Sequence, residues 1–246
     1  MALLASVAGA QPRISEPISF RGMCDASAGV AISSNLFLAA DDEGNQLRLF
    51  RTDQGGGAVQ QYDYSRFLGL TAEHPEADFE GAAWLGEKIF WIGSHGRNRE
   101  GKYRENRHCF FATEVRQTGQ TVQVTPVGRC YRNLLADLVF DPRLRPFNLT
   151  AASGRPPKSK GALNIEGLCA TADNHLLIGF RNPIPGGRAL IVPLLNPEEV
   201  LRGLAARLGD PILLDLGGLG VRDLGFRNGQ IFILAGAYDA ENKFAL

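Results

Sequence analysis

An acid-led hairpin that recurs along the chain constrains the fold more than any other feature. The segment Asp78-Phe79-Glu80-Gly81-Ala82-Ala83-Trp84 runs through a polar turn into Lys88-Ile89-Phe90-Trp91-Ile92-Gly93. Asn164-Ile165-Glu166-Gly167-Leu168 leads in the same way to Leu177-Ile178-Gly179, and Arg222-Asp223-Leu224-Gly225 leads to Ile233-Leu234-Ala235-Gly236. In each copy an acid stands 13 residues before the closing glycine: Glu80 to Gly93, Glu166 to Gly179, Asp223 to Gly236. A looser copy starts at Asp25 and ends at Ala39-Ala40. The acids Asp25, Glu80, Glu166 and Asp223 are separated by 55, 86 and 57 residues, near or above the roughly 40–50 residues of a four-stranded propeller blade. The pattern predicts an all-β chain, a β-propeller with at least four acid-led units, forming a single domain over residues 11–246. The long middle interval leaves room for an insertion.

Composition supports that reading. The chain's 29 Gly and 13 Pro fall between short apolar runs, which favours strands joined by turns. Small residues suit an inner strand because blades crowd toward the propeller axis. Further strands are expected at 46–51, 109–115, 122–127, 189–194 and 212–216, and a short helical segment from an Asn196 cap to Leu208, with Pro197 at its first position. Balanced charge, with 26 Lys+Arg against 26 Asp+Glu, removes the footprint of a nucleic-acid or anionic-membrane binder. No apolar run approaches the roughly 20 residues of a membrane span. Residues 1–10 are compatible with a signal-peptide remnant, hence a periplasmic or secreted protein, because Ala8-Gly9-Ala10 fits a cleavage site; the positive n-region is missing, so a disordered apolar N-terminus in a cytoplasmic protein stays open. Cys24, Cys109, Cys130 and Cys169 show no CxxC spacing and read as small buried hydrophobes rather than a zinc site.

Several segments also carry a family resemblance: Phe20-Arg21-Gly22-Met23-Cys24-Asp25, Ala77-Asp78-Phe79-Glu80-Gly81, Gly93-Ser94-His95-Gly96-Arg97-Asn98, Asn164-Ile165-Glu166-Gly167-Leu168, Gly179-Phe180-Arg181-Asn182-Pro183 and Leu216-Gly217-Gly218-Leu219-Gly220. In this order they resemble the bacterial family called domain of unknown function 3616, itself similar to β-propellers and distantly to the esterase-like and phytase-like propeller groups. The resemblance implies a further strand and acid-led unit after Lys243-Phe244-Ala245-Leu246. The expectation is five or six blades in the complete protein and a truncated last part here.

Candidate chemistry lies on two sets of residues. Equivalent acids at the starts of inner strands would converge at one rim of a central channel, where carboxylates repel unless they bind a cation, share protons or pair with arginine. Asp25, Glu80, Glu166 and Asp223 are therefore candidate ligands of a divalent cation, Ca²⁺ or Mg²⁺; the alternative is that they lock blade to blade through backbone hydrogen bonds. The second set follows the second strands: Asp41, Asp42, Glu43 and Asn45; Ser94, His95, Arg97 and Asn98; Arg181 and Asn182. His95, with Glu80 and Glu166, is a candidate acid or base, weighed against a turn-stabilising histidine. Arg97, Asn98, Arg181 and Asn182 are candidate binders of a small anionic substrate, since the guanidinium fork matches carboxylate and phosphate. Arg222 reads as a partner of Asp223. Two function classes follow: a metal-assisted hydrolase of phosphate esters, carboxylic esters or lactones, and a non-catalytic binding or scaffold propeller that recognises an anionic small molecule or an exported protein partner.

Overall fold

A computed structural model describes residues 16–41, 45–74, 76–119, 121–239 and 241–246. The leader expected at 1–10 and the candidates Asp42 and Glu43 lie outside the described residues.

The chain opens with the two-residue strand β1 (Phe20–Arg21), followed by β2 (Ala26–Ala31), β3 (Leu36–Asp41) and β4 (Gln46–Arg51). A short β5 (Gly56–Gly57) pairs back in parallel with β1, and β6 (Gln60–Asp63) adds to β4 to complete a four-stranded meander with β2 and β3. This meander is blade 1. Blade 2 is β7 (Phe79–Leu85), β8 (Lys88–Gly93), β9 (Phe110–Thr118) and β10 (Thr121–Tyr131). Blade 3 is β11 (Asn164–Ala170), β12 (Leu176–Asn182), β13 (Ala189–Leu194) and β14 (Ile212–Leu214). Blade 4 has three strands among the described residues, β15 (Gly220–Arg227), β16 (Gln230–Gly236) and β17 (Phe244–Ala245). Consecutive blade strands pair antiparallel, as short hairpin connections require. The inner strands pack in chain order, β2 on β7, β7 on β11 and β11 on β15. The arrangement is that of a β-propeller with four blades.

Turn chemistry and strand alternation explain these hairpins. Asn228 and Gly229, both at positive φ (52° and 76°), join β15 to β16 in the way a two-residue hairpin loop demands. In β7 alternate residues Phe79, Gly81, Ala83 and Leu85 are buried, the period-two pattern of a strand with one face in the core. Apolar side chains between blades then form three clusters: blades 1 and 2 around Leu38, Phe79, Trp91 and Phe111; blades 2 and 3 around Phe90, Phe110, Ile178 and Phe180; blades 3 and 4 around Val221 and Leu224. The insertion in the middle interval contains α1 (Leu134–Phe140) and α2 (Leu149–Ser153), whose Leu134, Leu138 and Leu149 complete the middle cluster.

Three local expectations are corrected. The helix after Asn196 is only the single turn α3 (Pro197–Val200). Asn196 does stand at the N-cap with Pro197 at the first position, but its side chain makes no capping bond and instead ties down the return loop, accepting from the Arg207 N–H (2.7 Å) and donating to the Ala205 carbonyl (3.0 Å). Cys24 is exposed, unlike buried Cys109 and Cys169, and no cysteine is in a disulfide. The third correction concerns register. Every inner strand carries an irregularity in its ladder, and the extra residue is Ser27 in β2, Glu80 in β7, Glu166 in β11 and Arg222 in β15. Glu80 and Glu166 are therefore equivalent, but Ser27 and Arg222, not Asp25 and Asp223, stand at that place in blades 1 and 4. The constant 13-residue spacing conceals this because the closing glycines are not equivalent: Gly93 pairs with Phe79 just before its bulge, Gly179 with Gly167 just after its own, and Gly236 with Gly220 two residues before Arg222.

Candidate functional site

A β-bulge inserts one unpaired residue and re-aims its side chain. Here the four bulge residues, Ser27, Glu80, Glu166 and Arg222, all line one cavity of about 720 Å³ at the hub. Asp25 and Asp223, beside the bulges, line it too. The acids singled out from the sequence are thus gathered around one space although only two of them are equivalent.

Within the cavity wall, charges are partly spent on one another. The Arg181 Nη1 donates to Glu166 Oε1 at 2.8 Å, Asn164 Nδ2 donates to the same oxygen at 2.8 Å, and Arg222 Nε lies 2.9 Å from Oε2. Arg181 also donates through Nε to the Ala237 carbonyl (3.0 Å) and through Nη2 to the Asp239 carbonyl, which fastens blade 3 to the segment after β16. Arg107 bridges Asp78 Oδ2 and Glu76 Oε2, both at 2.8 Å. Burial pushes the Glu166 carboxyl above its usual range, against the pull of Arg181 and Arg222. Burial does the same to Asp78, opposed by Arg107. Asp223 is raised by desolvation, opposed by the Leu224 N–H, which donates to its Oδ1 at 2.8 Å. Nine carboxylate residues line the cavity against five cationic ones, Arg99, Arg107, Lys158, Arg181 and Arg222, so the space carries a carboxylate excess.

The remaining candidates divide sharply. Asn98 lines the cavity, its Oδ1 accepting from the Lys102 N–H at 2.8 Å. Asn182 is buried and donates to the carbonyls of Pro157 (3.2 Å) and Ser159 (2.8 Å), which holds the 157–159 segment at the cavity wall. Arg97 donates to the carbonyls of Ser153 (2.8 Å) and Gly101 (3.0 Å), an internal tie rather than an open fork. His95 is 1% exposed and is not among the cavity-lining residues. Its Nδ1 lies 2.8 Å from the Gly93 carbonyl, its ring meets His108 edge to face at 5.4 Å, and burial lowers its pKa to about 4. Among the described residues no group of three or more His, Cys, Asp or Glu side chains stands close enough to hold a metal ion. Sequence reasoning missed Ser27, Asp78 and Arg107; the only trace of the first is its place two residues after Asp25, and the left-handed φ of Asp78 (53°) has no sequence signature.

The model of the family described as Protein of unknown function (DUF3616) matches residues 25–118 and 105–241. The chain belongs to this family. No curated protein matches it. Among solved structures, the extracellular domain of a putative hybrid two-component system protein from B. thetaiotaomicron is similar over 85% of this chain and 20% of its own length, with 13% identity and a TM-score of 0.37. The WD40 domain of Neurospora crassa Pan2 is similar over 86% of this chain and 43% of its own length (8% identity, TM-score 0.37). A luciferin-regenerating enzyme is similar over 87% of this chain and 70% of its own length (9% identity, TM-score 0.34). The chain therefore spans a fifth and less than half of the first two. No helix of the described residues is long and apolar enough to cross a membrane.

Proposed function

We propose that this member of the family is a binding propeller whose hub cavity takes a small organic molecule through a protonated amine. One observation carries the reading: four bulges deliver side chains into a cavity in which nine carboxylates face five cations, and three of those cations, Arg107, Arg181 and Arg222, already pair with the cavity's own acids. An anionic ligand would compete with Glu166 and Asp78 for the same guanidiniums. A cation instead relieves the repulsion among Asp25, Asp223 and the bulge acids. The cavity volume falls within the usual range for small-molecule sites. A bare Ca²⁺ wants six to eight oxygens at about 2.3–2.6 Å, a tighter cluster than carboxylates spread over four blades supply. Metal-assisted hydrolysis with His95 moving protons finds less support, since the imidazole sits in the core and no described histidine lines the cavity.

The test is thermal unfolding and calorimetric titration against three panels: amino sugars and diamines, Ca²⁺ with Mg²⁺ and Mn²⁺, and small carboxylates with phosphate esters. An amine at about 100 times its Kd should stabilise the fold by about 2.7 kcal/mol, a rise in Tm of about 5–10 °C. The effect should weaken with salt and be lost in Asp25→Asn with Glu80→Gln. Stabilisation by the anion panel alone would overturn the reading, and stabilisation by divalent ions with ester turnover would restore the hydrolase.

A further inference from the structure

Once its internal ion pairs are subtracted, the hub cavity keeps charge of opposite sign on different blades. Glu76 and Asp78 are met by Arg107, Glu166 by Arg181 and Arg222, and Glu241 by Lys243 at 2.6 Å. Glu100 is turned onto the Asn98 amide. Among the described residues Asp25, Asp223 and Asp239 stand in no ion pair, and all three line the cavity from blades 1 and 4. The cations left over are Arg99 and Lys158. Arg99 belongs to the connection between β8 and β9 of blade 2, and Lys158 to the segment that leads into blade 3.

Both cations sit on turns whose backbone is tied down. The Lys102 N–H donates to Asn98 Oδ1 at 2.8 Å and the Asn98 N–H donates to the Lys102 carbonyl at 3.0 Å, which closes the turn that carries Arg99. The Asn182 amide donates to the carbonyls of Pro157 and Ser159, on either side of Lys158, and Arg155 Nη1 donates to the Lys160 carbonyl at 2.9 Å. The two turns abut, since a Cβ built on Gly101 would lie 3.2 Å from Pro156 Cγ. Arg99 is near enough to Asp78 to favour its ionised form, yet makes no ion pair with it. A cation beside a carboxylate excess ordinarily collapses onto it. Here the turns hold the two signs apart.

We propose that the hub cavity takes a zwitterion, its protonated amine among Asp25, Asp223 and Asp239 and a carboxylate or phosphate of the same molecule between Arg99 and Lys158. The inference rests on the amine reading of the cavity and narrows it to amino acids and phosphorylated amines. A diamine would set its second ammonium against the two cations, and a simple anion would leave the three aspartates uncompensated. An acid group held by an arginine from one blade and a lysine from the next also bridges blades 2 and 3.

Calorimetric titration of the 246-residue chain with a matched series tests this. Aminobutanol carries the amine alone, butyrate the acid alone, and γ-aminobutyrate and aminobutyl phosphate carry both. Two exposed ion pairs should make one or both zwitterions bind about tenfold tighter than aminobutanol, with butyrate weakest. Arg99→Gln with Lys158→Gln should bind the three amines alike. Lys102→Gln with Lys160→Gln removes the same charge from the same turns but outside the cavity wall, and should keep the margin. All four side chains are exposed, so both double variants keep the fold. Aminobutanol binding as tightly as both zwitterions overturns this inference and leaves the amine reading standing, whereas no binding by any amine overturns both. A margin that survives Arg99→Gln with Lys158→Gln, or that Lys102→Gln with Lys160→Gln also abolishes, overturns the assignment to these two cations.

Discussion

Desolvation perturbs Asp223 and His95 in opposite senses, although Asp223 stays exposed at the cavity wall and His95 is enclosed in the core. It raises the Asp223 carboxyl, so the folded chain holds its proton more tightly than the unfolded chain. Its contribution to stability therefore falls as pH rises from the unfolded value through the folded one. Asp223→Asn, which can still accept the Leu224 N–H, should raise Tm at pH 7, with the gain vanishing near pH 4 and amine binding weakened. A Tm gain that persists unchanged at pH 4 would refute the electrostatic cause. His95, held at about 4, is neutral in the fold and takes up a proton on unfolding at any pH between about 4 and 6.5. Its contribution is complete above that window and is lost as pH falls through it, at a slope of up to about 1.4 kcal/mol per pH unit. His95→Asn suits the left-handed backbone there (φ 54°) and should flatten the slope of urea-derived stability between pH 7 and 5 without changing ligand binding. An unchanged slope would show that His95 does not titrate in this way. The sequence shows both residues as polar groups beside glycines or one step from them and gives no sign of which is walled in. Burial is a property of the assembled blades.

At the scale of the element, the bulge decides what the strand delivers. Strands at 46–51 and 189–194 coincide with β4 and β13, since alternation and turn residues are local signals. The acids were legible for the same reason, but a bulge leaves no mark in a spacing count, so Ser27 and Arg222 were hidden behind Asp25 and Asp223. The helices α1 and α2 escaped because their short apolar runs complete the core between blades 2 and 3, a tertiary demand rather than a local one. Close approach between elements gives the sharpest expectation. A Cβ on Gly220 would lie 1.9 Å from the Arg181 carbonyl oxygen, so Gly220→Ala must push β15 away from β12 and move both guanidiniums that hold Glu166. The variant should lose amine binding along with stability. Leu224→Ala, which empties a 4% exposed position without moving the backbone, should cost about 2–5 kcal/mol by urea denaturation. If Gly220→Ala binds as wild type does, the clamp on Glu166 is dispensable.

For the whole molecule, stability should be graded across the blades, because each blade contacts its neighbours in sequence and the clusters are unequal. The cluster between blades 2 and 3 includes α1 and α2 and is the most extensive, whereas the one between blades 3 and 4 gathers few side chains beyond Val221, Leu224, Ala189 and Ile191. Among the described residues, blades 2 and 3 are covered on both faces, and blades 1 and 4 each leave one face open. In arrays of this kind local opening follows the weakest contact, so amide exchange reports the order in which blades are released. The slowest amides should lie in β8, β9, β12 and β13, and those of β15 and β16 should exchange by opening of blade 4 alone. Uniform protection over all four blades would show one cooperative unit and refute the gradient.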